Sequence, residues 1–146
     1  MRQRHQLGRL ALAVLVAGAS ALPALAQEAT PSIYGVWRNP KNSVHVDIRP
    51  CGAASACGFV VWATEDAKAD ARKGGTPDLI GLQLFRNFTL EKDGGWRGKV
   101  FVPDINATFS GGARAVDATT LRARGCLIAS IGCKSQTWRR VDGTAL

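Results

Sequence analysis

Few side chains in this sequence could do covalent chemistry, and their spacing argues against most of it. Four cysteines fall in two close pairs, Cys51 with Cys57 and Cys126 with Cys133. Zinc sites favour Cys-x2-Cys spacing and nearby histidines, whereas the intervals here are five and six residues and His45 is the one histidine beyond the N-terminal segment. No metal and no other cofactor is expected. In an exported protein an even number of closely paired cysteines reads as disulfides. Loop-closure entropy alone would favour crossed pairings, so it is proximity in the sequence that selects Cys51–Cys57 and Cys126–Cys133.

The remaining candidates for catalysis are equally thin. Ser43 to Arg49 alternates, with Val44, Val46 and Ile48 on one face and His45, Asp47 and Arg49 on the other. With the apolar face turned inward, His45 is expected to face solvent rather than serve as a general base. Glu65 and Asp66 open a helix, and Asp70 lies one turn further along among alanines. There is no Gly-x-Ser-x-Gly elbow, phosphate-binding loop or dinucleotide glycine pattern. The chain is not expected to be an enzyme.

One further constellation is structural in character. Gly35-Val36-Trp37 begins the apolar patterning and Thr137-Trp138-Arg139-Arg140 ends it. A guanidinium from the last strand stacked on a Trp of the first would mark a sheet closed on itself, a contact worth roughly 0.5 to 2 kcal/mol. Arg140 is the first choice for that contact and Arg139 the second. Gly35 would let the partner approach.

Short strands separated by turns must position these residues. They are expected at Ile33 to Trp37, Ser43 to Arg49, Gly58 to Ala63, Leu82 to Phe88, Trp96 to Val102, Ala107 to Ser110, Thr120 to Arg124 and Gln136 to Val141. Asn39-Pro40-Lys41-Asn42, Asp93-Gly94-Gly95, Pro103-Asp104 and Gly111-Gly112 read as turns. Thr64 to Lys73 is the one helical segment, with Thr64 as cap, acids first, bases last and Gly74 after it. Its apolar side chains are all alanines, so it is expected as an exposed helical turn or lid-like loop. About eight strands form an antiparallel up-and-down barrel, the size that leaves room for side chains or one small ligand and removes both sheet edges.

Residues 1 to 26 read as a secretory signal peptide, with Arg2, Arg4 and Arg9, an apolar run from Leu10 to Leu22, and Ala24-Leu25-Ala26 for cleavage after Ala26. The apolar run is too short for a bilayer, which needs roughly 20 residues. Residues 27–146 then make one domain without a membrane span, exported to the periplasm or beyond. The signal holds three of the 19 basic residues and none of the 11 acids, so the remainder carries +5. Those charges are scattered, and no nucleic-acid partner is expected.

The series Gly35-Val36-Trp37, Pro50-Cys51-Gly52, Cys57-Gly58-Phe59-Val60-Val61-Trp62, Gly81-Leu82, Gly95-Trp96, Leu121 through Cys126 and Gln136 through Arg140 resembles the bacterial family catalogued as domain of unknown function 2147. The resemblance runs from about residue 33 to 141. It implies a small exported lipocalin-like barrel with no assigned activity. This chain has Ala67 to Gly75 where many relatives have an Asn-Pro-rich link, and Phe101-Val102-Pro103 in place of a Tyr-Asn-Pro turn.

Binding follows as the expected role. The lumen should take a small apolar or amphipathic molecule, lined by Val44, Val46, Ile48, Val100, Val102 and Leu121, with Trp62 or Trp96 near an opening. In the alternative, the exterior binds a protein or glycan in the cell envelope, with Phe101 as an aromatic on the polar face of its strand.

Overall fold

The computed structural model describes residues 30–128 and 131–142. The signal peptide inferred for residues 1–26 lies outside them. Eight strands run β1 (Gly35–Arg38), β2 (Val44–Pro50), β3 (Ser55–Ala63), β4 (Gln83–Leu90), β5 (Trp96–Val102), β6 (Ala107–Ala115), β7 (Thr120–Ile128) and β8 (Ile131–Arg140). Each pairs antiparallel with its sequence neighbour, and β8 returns to β1 through Trp37 opposite Arg140 and Arg38 opposite Arg139. The chain is a closed up-and-down barrel; among the described residues it has one helix, α1 (Glu65–Lys73), between β3 and β4, and one 3-10 turn at Pro103–Ile105 between β5 and β6.

Alternation decides which residues face in. Along β2, Val46 and Ile48 are buried and Val44 packs against them, as the period of two requires. β4 departs from that period. Asn87 takes a left-handed conformation, φ 50°, where the register with β5 shifts, so Phe85 and Phe88 are both buried with ring centroids 5.5 Å apart. Trp37, Val46, Val60 and Leu121 are the largest fully buried side chains.

Gly111-Gly112, expected as a turn, lies inside β6. A side chain at Gly111 would collide with Val100, and the Phe88 ring is 3.6 Å from the same position. Glycine is there because the core needs the space, not because the chain must reverse. β7 and β8 likewise extend past the expected limits and meet in a long ladder that includes Cys126 opposite Cys133. Both local disulfides are present, Cys51–Cys57 and Cys126–Cys133. The second joins paired positions on two strands rather than the ends of a loop.

The up-and-down order sorts the connections into two ends. At one end lie residues 30–34, the β2–β3, β4–β5 and β6–β7 links, and Arg140. At the other lie the β1–β2 turn, the α1 connection, the 3-10 turn and the β7–β8 hairpin. Thr64 caps α1 by accepting from the Ala67 N–H at 3.2 Å. The helix is not an exposed turn: Ala71 is 2% exposed and Ala67 packs on the core. Alanine is small enough to bring the helix backbone close, and an added side chain at Gly74 would strike the backbone of Pro103 and Asp104. α1 therefore spans from the end of β3 to the β5–β6 turn, covering one side of its end of the barrel. Among the described residues no helix is long and apolar enough to cross a membrane; the two disulfides fit an exported protein.

Candidate functional site

One end of the barrel is plugged. Trp37 is fully buried, and its indole Nε1 donates to the Ile33 carbonyl at 2.7 Å. The Arg140 guanidinium lies 4.1 Å from the centre of the Trp37 ring. Its Nη1 donates to the Tyr34 carbonyl at 2.7 Å and its Nη2 to the Ser32 carbonyl at 2.9 Å, while Nε donates to Ala118. One side chain thus ties the entering segment and the β6–β7 link to the last strand. Gly35 sits beneath it with φ 121°, and a side chain there would run into the guanidinium. Arg140, not Arg139, makes the stack; Arg139 bonds Thr120 on the outside at 2.7 Å.

The other end holds an open cavity of about 1030 Å³. Its wall is mainly apolar, with Val44, Leu84, Phe85, Val100, Phe109 and Trp138 among the lining residues. Small residues on β7 make the room: Ala123 and Gly125 line it, and nothing lies within 4 Å of a side-chain carbon built on Gly125. Polar groups stand around the rim, with Asn39, Lys41 and Ser43 at the β1–β2 turn, Arg124 on β7 and Asp104 at the 3-10 turn. Gln136 and Lys134 line it on β8, and Asp66 and Asp70 line it on α1. Asp70 is already paired with Lys73 at 2.9 Å. A second, smaller groove of about 190 Å³ lies over β5, β6 and β7, where Arg114 bonds Asp93 at 2.7 Å. Among the described residues no cluster of three or more His, Cys, Asp or Glu is placed to hold a metal.

The expected lining divides by depth. Val44, Val100 and Val102 border the cavity, whereas Val46, Ile48 and Leu121 lie in the packed core. Trp62 does not belong to the lumen. The β2–β3 register shifts after His45, so Val60 faces in and Trp62 faces out, 38% exposed and stacked on His45 with centroids 4.4 Å apart. Trp96 is half-buried and packs against the core, but it meets Tyr34 edge-on at 5.9 Å, toward the plugged end rather than the mouth. Leu84, Phe85, Phe109, Gln136 and Trp138 went unnoticed as lining. A register of β8 against β7 that puts Trp138 opposite Leu121 would have found two of them.

His45 also differs from expectation. It is on the outer face, yet only 6% exposed, because Trp62 covers its ring. Its Nε2 is 2.8 Å from Asn42 Oδ1, and its buried Nδ1 has no hydrogen-bond partner among the described residues. Burial, helped by the Arg38 charge, holds it below the usual histidine range. Phe101 carries the Arg86 guanidinium over its ring at 4.6 Å, so this aromatic is partnered within the chain.

The sequence model of the family described as "uncharacterized protein conserved in bacteria", DUF2147, matches residues 35–140. The chain belongs to that family. Neither the curated proteins nor the solved structures yield a match.

Proposed function

We propose that this member of the family is an exported, periplasmic binding protein whose barrel lumen takes one small apolar or amphipathic molecule. The observation that carries this is the cavity of about 1030 Å³, open at one end of a barrel plugged at the other. Ligand pockets commonly measure roughly 300 to 1,000 Å³ and combine apolar walls with a few placed polar groups. Here the apolar wall is built around Phe85, Val100 and Trp138, and the polar groups stand around the rim, Gln136 and Lys134 on β8 and Asp66 and Asp70 on α1 among them. A protein that only needed a core would fill such a space with larger side chains, because interiors otherwise pack to crystal-like density. Binding by geometry and burial also needs none of the nucleophiles or bases that the chain lacks in useful spacing.

Tryptophan fluorescence gives the test. Dodecanol should shift the emission of the wild-type protein saturably, with one site per chain. Gly125→Phe should weaken that binding by at least about tenfold, since Gly125 lines the lumen and nothing lies within 4 Å of a side-chain carbon built on it. Equal binding by wild type and Gly125→Phe would remove the lumen as the site.

A further inference from the structure

The chemistry of the wall goes further than size and specifies the head of the ligand. Strand β8 presents Trp138, Gln136 and Lys134 to the lumen at alternate positions, opposite Leu121, Ala123 and Gly125 of β7. From Trp138 to Lys134 is four residues, roughly 13 Å along the strand toward the mouth. The wall thus changes from aromatic, to amide, to ammonium as it approaches the opening.

Gln136 and Lys134 are left with donors to offer. An indole N–H can only donate, and Trp138 Nε1 donates to Gln136 Oε1 at 3.2 Å. With its oxygen turned to the indole, the Gln136 amide turns its NH2 the other way. Lys134 forms no ion pair among the described residues, in contrast to Lys68 and Lys73, which are held by Glu65 and Asp70. The acids that border the cavity, Asp66, Asp70 and Asp104, belong to α1 and the 3-10 turn, rooted at β3 and at the β5–β6 link rather than at β8. The cations that border it, Arg124, Lys134 and Lys41, belong to β7, β8 and the β1–β2 turn, so an anionic group would be drawn to that side of the mouth and kept off the helix side. Beneath it the apolar wall would hold a chain.

We infer that the cavity takes a single-chain amphiphile with an anionic head, a carboxylate or a phosphate, with the head against Lys134 and Gln136 and the chain directed down toward Trp138, Phe85 and Val100. This rests on the lumen being the binding site. The ammonium supplies charge and the amide supplies directed N–H donors, a pair suited to oxygen acceptors that share a negative charge.

Calorimetric titration of the whole protein with dodecanoate, dodecyl phosphate and dodecanol, each as monomer, separates the possibilities. At least one of the two anions should bind about tenfold more tightly than the alcohol, and the tighter anion identifies the natural head as carboxylate or phosphate. Lys134→Met should remove most of that preference, because it removes the charge from an exposed position and keeps the aliphatic stem. Equal affinity for all three probes, or anion binding untouched by Lys134→Met, would overturn the head-group inference while leaving the lumen as a site. Binding of none of the three would overturn both.

Discussion

Arg140 illustrates how much one side chain can be asked to do. Its guanidinium covers the Trp37 ring and donates to carbonyls of Ser32, Tyr34 and Ala118, so its loss would leave three acceptors unpaired and the end of the barrel unsealed. Arg140→Ala should destabilise the fold by about 2 to 4 kcal/mol in urea denaturation, from the stack and the charge-assisted hydrogen bonds together. Arg140→Lys should recover only part, because a single ammonium cannot reproduce the planar fork of donors. His45 sets a different expectation. Burial, with the Arg38 charge, lowers its pKa in the fold and so favours the neutral ring, whereas the unfolded chain retains the ordinary value of about 6.5. Below that value the unfolded state binds more protons, so the stability tied to neutral His45 is full above it and is lost as the pH falls through it. The urea midpoint should drop between about pH 7.5 and about pH 5.5, above the range where carboxylates titrate, and His45→Gln should flatten the drop. The Trp37–Arg140 contact was legible in the sequence because both ends of the pattern carry it. The burial of His45 was not, since it depends on a register shift and on Trp62, 17 positions away.

At the scale of elements, local chemistry was a good guide where it was self-contained. Thr64, the leading acids, the trailing bases and Gly74 place α1 correctly, and the alternation of β2 gives its inward face. Glycine misled because it has two uses. At Gly111 it makes room for Val100 inside a strand, and only the three-dimensional neighbour distinguishes that from a turn. The same long-range dependence hid the extent of β7 and β8, whose ladder is closed by Cys126–Cys133 near the mouth. On the loop-entropy scale, replacing either pair of cysteines with serine should cost roughly 2 to 2.5 kcal/mol in chemical denaturation. Alkylation of the unreduced protein should find no free thiol, and peptide mapping should keep residues 51 and 57 together and residues 126 and 133 together. Removing Cys126–Cys133 should also weaken lumen binding, since β8 carries Gln136 and Lys134, while removing Cys51–Cys57 at the far end should not.

Across the whole molecule the two ends divide the work. Closure through β1 and β8 lets Trp37, Arg140 and residues 30–34 seal one end, so the opposite end can stay open without exposing a sheet edge. The eight-strand barrel was foreseeable from strand number and spacing, but which inward residues border an open cavity was not, because pocket lining and packed core share one residue pattern. Val44 and Val46 lie two residues apart on the same face, one beside the cavity and one in the core. What separates them is the small-residue wall at Ala123 and Gly125, and its effect appears only when β7 is set against its neighbours. The most direct test of an open lumen is quenching of Trp138 by 11-bromoundecanoate, whose heavy atom must come close to the ring to act. The wild-type protein should show saturable quenching that ends at one equivalent, and Trp138→Phe should remove most of that change while calorimetry still detects binding. Quenching that rises without saturation, and equally in Gly125→Phe, would contradict a ligand held inside the barrel.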